Sequence, residues 1–127
     1  TYKTLDIIEQ NVTDIYNDGK KVFGIGGEHL VTLPEVKAVF EHYKDLAVVH
    51  FDAHTDLREE YLGEEMSHSA VIRQISKFVK PENIKQIGIR SGMKEEWEFM
   101  QKHNTLCHKY SDIDCLKGKP IFVTGLS

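Results

Sequence analysis

The sequence predicts an α/β fold built around a mainly parallel sheet. Segments rich in β-branched and aromatic residues alternate with amphipathic segments along the 127 residues. Glycine turns and metal-binding types of side chain directly follow two of the strand-like segments. Strands that alternate with helices form a parallel sheet covered on both faces. The length predicts a single domain over residues 1–127.

The helices are predicted from apolar residues that recur every three to four positions. They cover residues 4–18, 31–44, 69–79 and 93–103. Thr4 is a possible N-cap of the first helix, and Gly19 is its stop. Pro34 fits an early turn of the second helix, and Pro81 ends the third.

The strands are predicted from short apolar segments bounded by polar or turn residues. They cover residues 22–25, 48–51, 84–89 and 120–124, and a further short strand is possible at 105–110. Residues 48–51, Val-Val-His-Phe, are the best candidate for a buried central strand. The ligand-type residues discussed below follow this strand.

The charge balance and cysteine usage exclude several classes of protein. The chain has 16 basic and 20 acidic residues, scattered without a basic stripe, so no nucleic-acid partner is indicated. No apolar run approaches the roughly 18 residues of a membrane span. Cys107 and Cys115 do not form a Cys-x-x-Cys pair, which argues against a thiolate zinc site and a redox motif. We therefore expect a soluble, cytoplasmic protein with reduced thiols and no membrane partner.

Residues 52–56, Asp-Ala-His-Thr-Asp, follow the central strand and suggest a metal site. If the chain stays extended, Asp52, His54 and Asp56 share one side of it. They would converge at the carboxyl end of a strand, where α/β sheets bind ligands. A cation between buried carboxylates would relieve their desolvation cost. The alternative is a polar turn in which the Asp side chains cap backbone amides.

A second source of ligands lies at residues 26–29, Gly-Gly-Glu-His, after the predicted strand 22–25. This glycine turn lacks the Gly-Lys-[Ser/Thr] ending of a phosphate loop. Together the two motifs resemble the ureohydrolase family of arginases and agmatinases, whose signatures are Gly-Gly-[Asp/Glu]-His and Asp-Ala-His-x-Asp. Residues 67–69, Ser-His-Ser, and 87–91, Ile-Gly-Ile-Arg-Ser, resemble later parts of the same family. The resemblance covers most of residues 20–124.

The resemblance implies a three-layer α/β/α sandwich and two Mn²⁺ ions that hold a hydroxide between them. His29, Asp52 and Asp56 would bind one ion, whereas His54 and a bridging Asp52 would bind the other. Zinc is conceivable from ligand type alone, although carboxylates favour manganese. His68 would be the catalytic proton shuttle; the alternative is a loop histidine that caps the helix at 69–79. Ureohydrolases also assemble as homo-oligomers, typically trimers or hexamers.

The implied reaction is hydrolysis of a small guanidino compound. Residues 57–66 resemble the corresponding loop of bacterial agmatinases, and four acidic residues in this loop favour a cationic substrate without a carboxylate. Agmatine, which would give putrescine and urea, is the first choice. The alternative is arginase activity or action on another guanidino acid. His50 lies within the strand and is interpreted as a core histidine or one that supports the ligands.

One departure from the family keeps a rival interpretation open. Ureohydrolases supply two further ligands in a Ser/Thr-x-Asp-x-Asp motif after a late strand, but here Gly125 follows Thr124. Asp112 and Asp114 have the right spacing but precede that strand, so we interpret them as turn residues. We therefore expect an incomplete portion of a ureohydrolase with a gap between Thr124 and Gly125. The rival is an inactive, metal-poor fragment or structural subunit. A phosphoesterase is disfavoured because no Asn-His set follows the strand at 84–89.

Overall fold

The computed structural model describes residues 2–26, 28–59 and 67–125. Four α-helices lie in these ranges: α1 (Tyr2–Asn17), α2 (Thr32–His42), α3 (Val71–Ile75) and α4 (Lys94–His103). Three strands lie there as well: β1 (Ala47–Phe51), β2 (Ile84–Ile87) and β3 (Ile121–Gly125). None of the helices in the described ranges has both the length and the apolar character needed to cross a bilayer.

The three strands form a parallel sheet in the order β2-β1-β3, which confirms the predicted α/β class. β1 is the central strand, and four of its five residues are buried. Its neighbours on both sides satisfy its backbone groups, so a continuous apolar run is stable there. All three strands point their carboxyl ends toward one edge of the sheet. Asp52 leaves the sheet at this edge.

Side-chain alternation along β1 divides the core into two parts. Val48 packs with the larger cluster, which includes Val36 of α2, Ile72 of α3 and Met100 of α4. Val49 points to the opposite face and packs with Leu116, which belongs to a 3-10 helix at Tyr110–Leu116. Helices therefore cover one face of the sheet, and the 3-10 helix covers the other in the described part of the chain.

The predicted strand at 22–25 is wrong. These residues do not pair with any strand within the described ranges, and Phe23 and Ile25 are 89% and 90% exposed. A strand needs a neighbour for its backbone groups, and β-propensity alone does not supply one. The possible strand at 105–110 reduces to a single bridge between Leu106 and Gln86. β3 continues through Thr124 and Gly125 and pairs with β1 over both residues, and the gap expected between them stays a prediction.

Two predicted helices differ in their bounds. The helix expected at 69–79 is a 3-10 turn at His68–Ala70 followed by the short α3, and Pro81 starts the next 3-10 turn. α1 starts at Tyr2, so Thr4 lies inside the helix instead of capping it. Gly19 follows the end of α1 with a φ of 76°, the left-handed conformation that glycine adopts without strain.

Candidate metal centre

Four buried side chains converge at the carboxyl end of β1: His29, His50, Asp52 and Asp56. Each offers one nitrogen or oxygen atom, and these atoms lie within 4.8 Å of one another. His50 is part of β1, and Asp52 follows the strand directly. His29 begins a 3-10 turn that is capped by the Glu28 carboxylate, which accepts from the backbone N–H of Leu30 at 3.1 Å.

Asp56 reaches this cluster through a turn and not along an extended chain. Its φ is 52°, a left-handed conformation that is uncommon for a residue other than glycine. Its carbonyl accepts from the backbone N–H groups of Ile72 and Arg73, at 2.9 and 3.1 Å, and so anchors the turn to α3. The Asp56 carboxylate then lies 2.8 Å from His29, between its Oδ2 and the ring Nδ1.

The turn separates His54 from the other predicted ligands. The His54 side chain is 66% exposed, whereas those of Asp52 and Asp56 are buried. His54 still contacts Asp52, because its Nδ1 lies 3.2 Å from Asp52 Oδ1 and its backbone N–H donates to the same oxygen at 2.9 Å. The expectation that three alternate side chains share one side of an extended chain is therefore wrong. The Asp52 carboxylate instead has one oxygen toward His54 and the other toward the buried cluster.

The donor set fits a divalent cation. His29 Nδ1 and Asp56 Oδ2 are buried and close, but neither makes a hydrogen bond of acceptable geometry in the described part of the chain. Unpartnered buried polar atoms are costly and rare. Two carboxylates and an imidazole are also ligands that hard or borderline divalent cations accept. A cation beside His29, Asp52 and Asp56 would satisfy the atoms that the protein leaves without partners.

The electrostatics of the cluster keep Asp52 ionised. Burial raises the pKa of its carboxyl, but hydrogen bonds from His50 and from the backbone N–H of His54 outweigh burial, and the pKa lies well below its usual range. Burial also lowers the pKa of His50, but its contacts with Asp52 and Asp56 shift that pKa upward overall. An ionised Asp52 is the form that a cation requires.

β3 supports the cluster through hydroxyl groups. The Thr124 hydroxyl lies 3.3 Å from His29 Nε2 and 3.0 Å from the Thr32 hydroxyl. Histidines that bind metals commonly donate the N–H of their second ring nitrogen in this way, which fixes the tautomer and orientation of the ring. The arrangement leaves His29 Nδ1 facing the carboxylates.

A cleft of about 430 Å³ opens beside the cluster. His54, Asp56 and His68 line it, together with Arg58, Ser91 and Glu96. The structure thus places His68 in the wall of the cleft, at the start of the 3-10 turn before α3. Whether it shuttles protons or has a purely structural role stays a prediction.

The acidic loop that suggested a cationic substrate lies mostly outside the described residues. Only Glu59 of its four acidic residues is described, and its carboxylate accepts from the Arg73 guanidinium at 2.8 Å.

Asp112 lies in the 3-10 helix at Tyr110–Leu116. Its carboxylate accepts from the backbone N–H groups of His108 and Lys109, which precede this helix, as expected of a turn residue.

Sequence reasoning missed Gln86, which is wholly buried next to His50. Its signal was a polar residue between the apolar Ile84 and Ile87. The strand register that pairs Gln86 with His50 was needed to recognise it.

The sequence and the fold are both similar to those of known arginase-family proteins. The model of the Arginase family matches residues 1–122. An agmatinase from Bacillus subtilis is 45% identical over 96% of this chain, which corresponds to 44% of that relative. The crystal structure of a candidate agmatinase from Clostridium difficile is 46% identical, with a TM-score of 0.87 over 97% of this chain and 47% of its own. The agmatine ureohydrolase of Thermoplasma volcanium is 29% identical, with a TM-score of 0.80 over 98% of this chain and 45% of its own. The chain therefore spans less than half the length of these relatives.

Proposed function

Because this chain belongs to the arginase family, we propose that the complete protein hydrolyses agmatine to putrescine and urea with the help of two Mn²⁺ ions. The observation that carries the proposal is the cluster at the end of β1. There His29 and Asp56 leave buried polar atoms without hydrogen-bond partners beside an ionised Asp52. These are the positions at which the family motifs have their metal ligands.

The positions of the ligands suggest how two ions would be held. His29, Asp52 and Asp56 would hold one ion. Asp52 would also contribute its other oxygen, next to His54, to the second ion, since the two Asp52 oxygens face different sides. Divalent cations at such a site lower the pKa of water and stabilise developing negative charge. Further ligands from the part of the protein beyond this sequence would complete both sites.

The residues of the cleft would then handle substrate and protons. Hydrolysis joins a water oxygen to the guanidinium carbon and breaks one carbon–nitrogen bond, and the departing amine must gain a proton. We assign this proton transfer to His68, because an imidazole titrates near neutral pH and His68 lines the same cleft as His54 and Asp56. Departure of the neutral amine is thereby made easier.

Agmatine is the preferred substrate because the most similar relatives reported above carry that activity in their names. One observation favours a second candidate. The Arg58 side chain lines the cleft, where its Nε lies 4.0 Å from Glu96 Oε1, and it would pair with the carboxylate of arginine or another guanidino acid by sharing its guanidinium with Glu96. The two candidates differ only in the group at the far end of the substrate.

We expect the complete protein, loaded with Mn²⁺, to release urea from agmatine with a kcat/KM at least about tenfold above that for arginine, because acidic residues near the site disfavour the carboxylate of arginine. A tenfold ratio corresponds to about 1.4 kcal/mol of transition-state free energy. Urea release would be measured for agmatine, arginine and a guanidino acid of similar length. Removal of metal by a chelator should abolish activity, and added Mn²⁺ should restore it. A preference for arginine would support the second candidate, and activity that survives chelation would contradict the metal-dependent mechanism.

A further inference from the structure

Gln86 is held at both ends of its side chain. Its Nε2 lies 2.7 Å from the backbone carbonyl of Thr55 and 3.2 Å from His50 Nδ1. Its Oε1 accepts from the Thr105 hydroxyl at 2.8 Å. Its backbone is also fixed, since it donates to the Thr105 carbonyl and accepts from the N–H of Cys107. The residue is 0% exposed, so no solvent competes for these bonds.

These partners determine which way the amide points. The Thr55 carbonyl can only accept, so the nitrogen of the amide must face it. The second N–H of that nitrogen then points toward His50 Nδ1, which must accept. A neutral imidazole carries one proton, and in His50 this proton is therefore on Nε2. The neutral tautomer with its proton on Nδ1 would place two donors 3.2 Å apart, so the Gln86 amide disfavours it.

The tautomer determines what His50 can do in the cluster. Its Nε2 lies 3.3 Å from Asp52 Oδ2, to which its N–H donates, and 3.4 Å from Asp56 Oδ2. A nitrogen that carries a proton has no lone pair for a cation. His29 differs, because its Nε2 faces the Thr124 hydroxyl and its Nδ1 is directed at the carboxylates.

We propose that Gln86 is a positioning residue of the cation site: it fixes His50 as the Nε2–H tautomer, so that His50 orients the Asp52 and Asp56 carboxylates and does not bind the metal. The inference rests on the proposed function for the part that concerns cations. The assignment of the tautomer requires neither metal nor substrate. His50 thus belongs to the cluster by proximity but differs in role from the other three residues.

The tautomer can be measured directly. In the complete, metal-free protein labelled with ¹⁵N-histidine, the imidazole nitrogen shifts should show His50 protonated at Nε2 and unprotonated at Nδ1. The measurement is made at a pH where the ring is neutral, and a neutral ring with its proton on Nδ1 would overturn the inference. If the protein shows the expected tautomer but hydrolyses no guanidino compound, only the proposed function fails.

We expect Gln86→Leu to weaken Mn²⁺ binding about 10–100-fold, the usual scale for partners of metal ligands, and to alter the His50 nitrogen shifts. Isothermal titration of the complete protein with Mn²⁺ would measure the affinity. Asn83→Leu is the matched control, since it removes another buried amide, one that contacts Lys119 and not the cluster. It should leave Mn²⁺ affinity unchanged.

A double-mutant cycle separates positioning from a general loss of packing. In a His50→Phe background, Gln86→Leu should cause no further loss of Mn²⁺ affinity, because its partner is already absent. An equal loss in both backgrounds, or an unchanged affinity after Gln86→Leu alone, would overturn the inference. If Gln86→Leu does not fold, the ¹⁵N measurement on the unsubstituted protein decides the question.

Discussion

Asp52→Asn in the complete protein is expected to lose guanidine hydrolysis by roughly 10³-fold or more. The amide removes the negative charge that both cations would share and gives one oxygen instead of two. Metal ions contribute several kcal/mol to such reactions, and about 1.4 kcal/mol corresponds to a factor of ten in rate. Steady-state kinetics and Mn²⁺ stoichiometry after equilibrium dialysis would measure both consequences.

The matched control for this change is Asp114→Asn. Asp114 is exposed in the 3-10 helix at Tyr110–Leu116, so the same chemical change there should alter neither rate nor stoichiometry. An Asp52→Asn protein with an unchanged rate and full Mn²⁺ content would show that Asp52 is not a shared ligand.

His68→Asn is expected to slow turnover by about 10²–10⁴-fold while both ions stay bound, because a general acid acts on the proton and not on the cation. His68 lines the cleft but is not one of the four clustered side chains. Kinetics with agmatine, together with metal analysis of the same sample, would separate the two effects. Added imidazole should restore part of the rate if a proton carrier is what the variant lacks.

The matched control here is His108→Asn, because His108 is an exposed histidine that belongs neither to the lining of the cleft nor to the four clustered side chains. It should retain full activity. Full activity of His68→Asn at neutral pH would assign His68 to a purely structural role at the start of its 3-10 turn.

The sequence was sufficient to predict the central strand and the cluster of polar side chains at its carboxyl end. β1 has an apolar run that no helix period explains, and the ligand-type residues follow it directly. Residues 22–25 have a similar composition but form no strand, because strand formation depends on a neighbour that composition does not reveal. His29 and Asp52 lie close together in the structure because each is next to a fixed turn or strand end, and their role as metal ligands stays a prediction.

The detailed grouping of side chains could not be predicted for a different reason. The left-handed conformation of Asp56 is uncommon for residues other than glycine, and the resulting turn leaves the His54 side chain exposed while that of Asp56 is buried. The contact between Gln86 and His50 joins residues 36 positions apart, through the register of two parallel strands. Such contacts become visible only when the sheet is assembled.

The most direct test of the central claim is anomalous X-ray scattering at the manganese edge, from crystals of the complete protein grown with Mn²⁺. Our account predicts one peak in contact with His29, Asp52 and Asp56, and a second in contact with His54 and the other oxygen of Asp52, with His50 outside bonding distance of both. Manganese bound elsewhere, or no peak at the end of β1, would contradict the account.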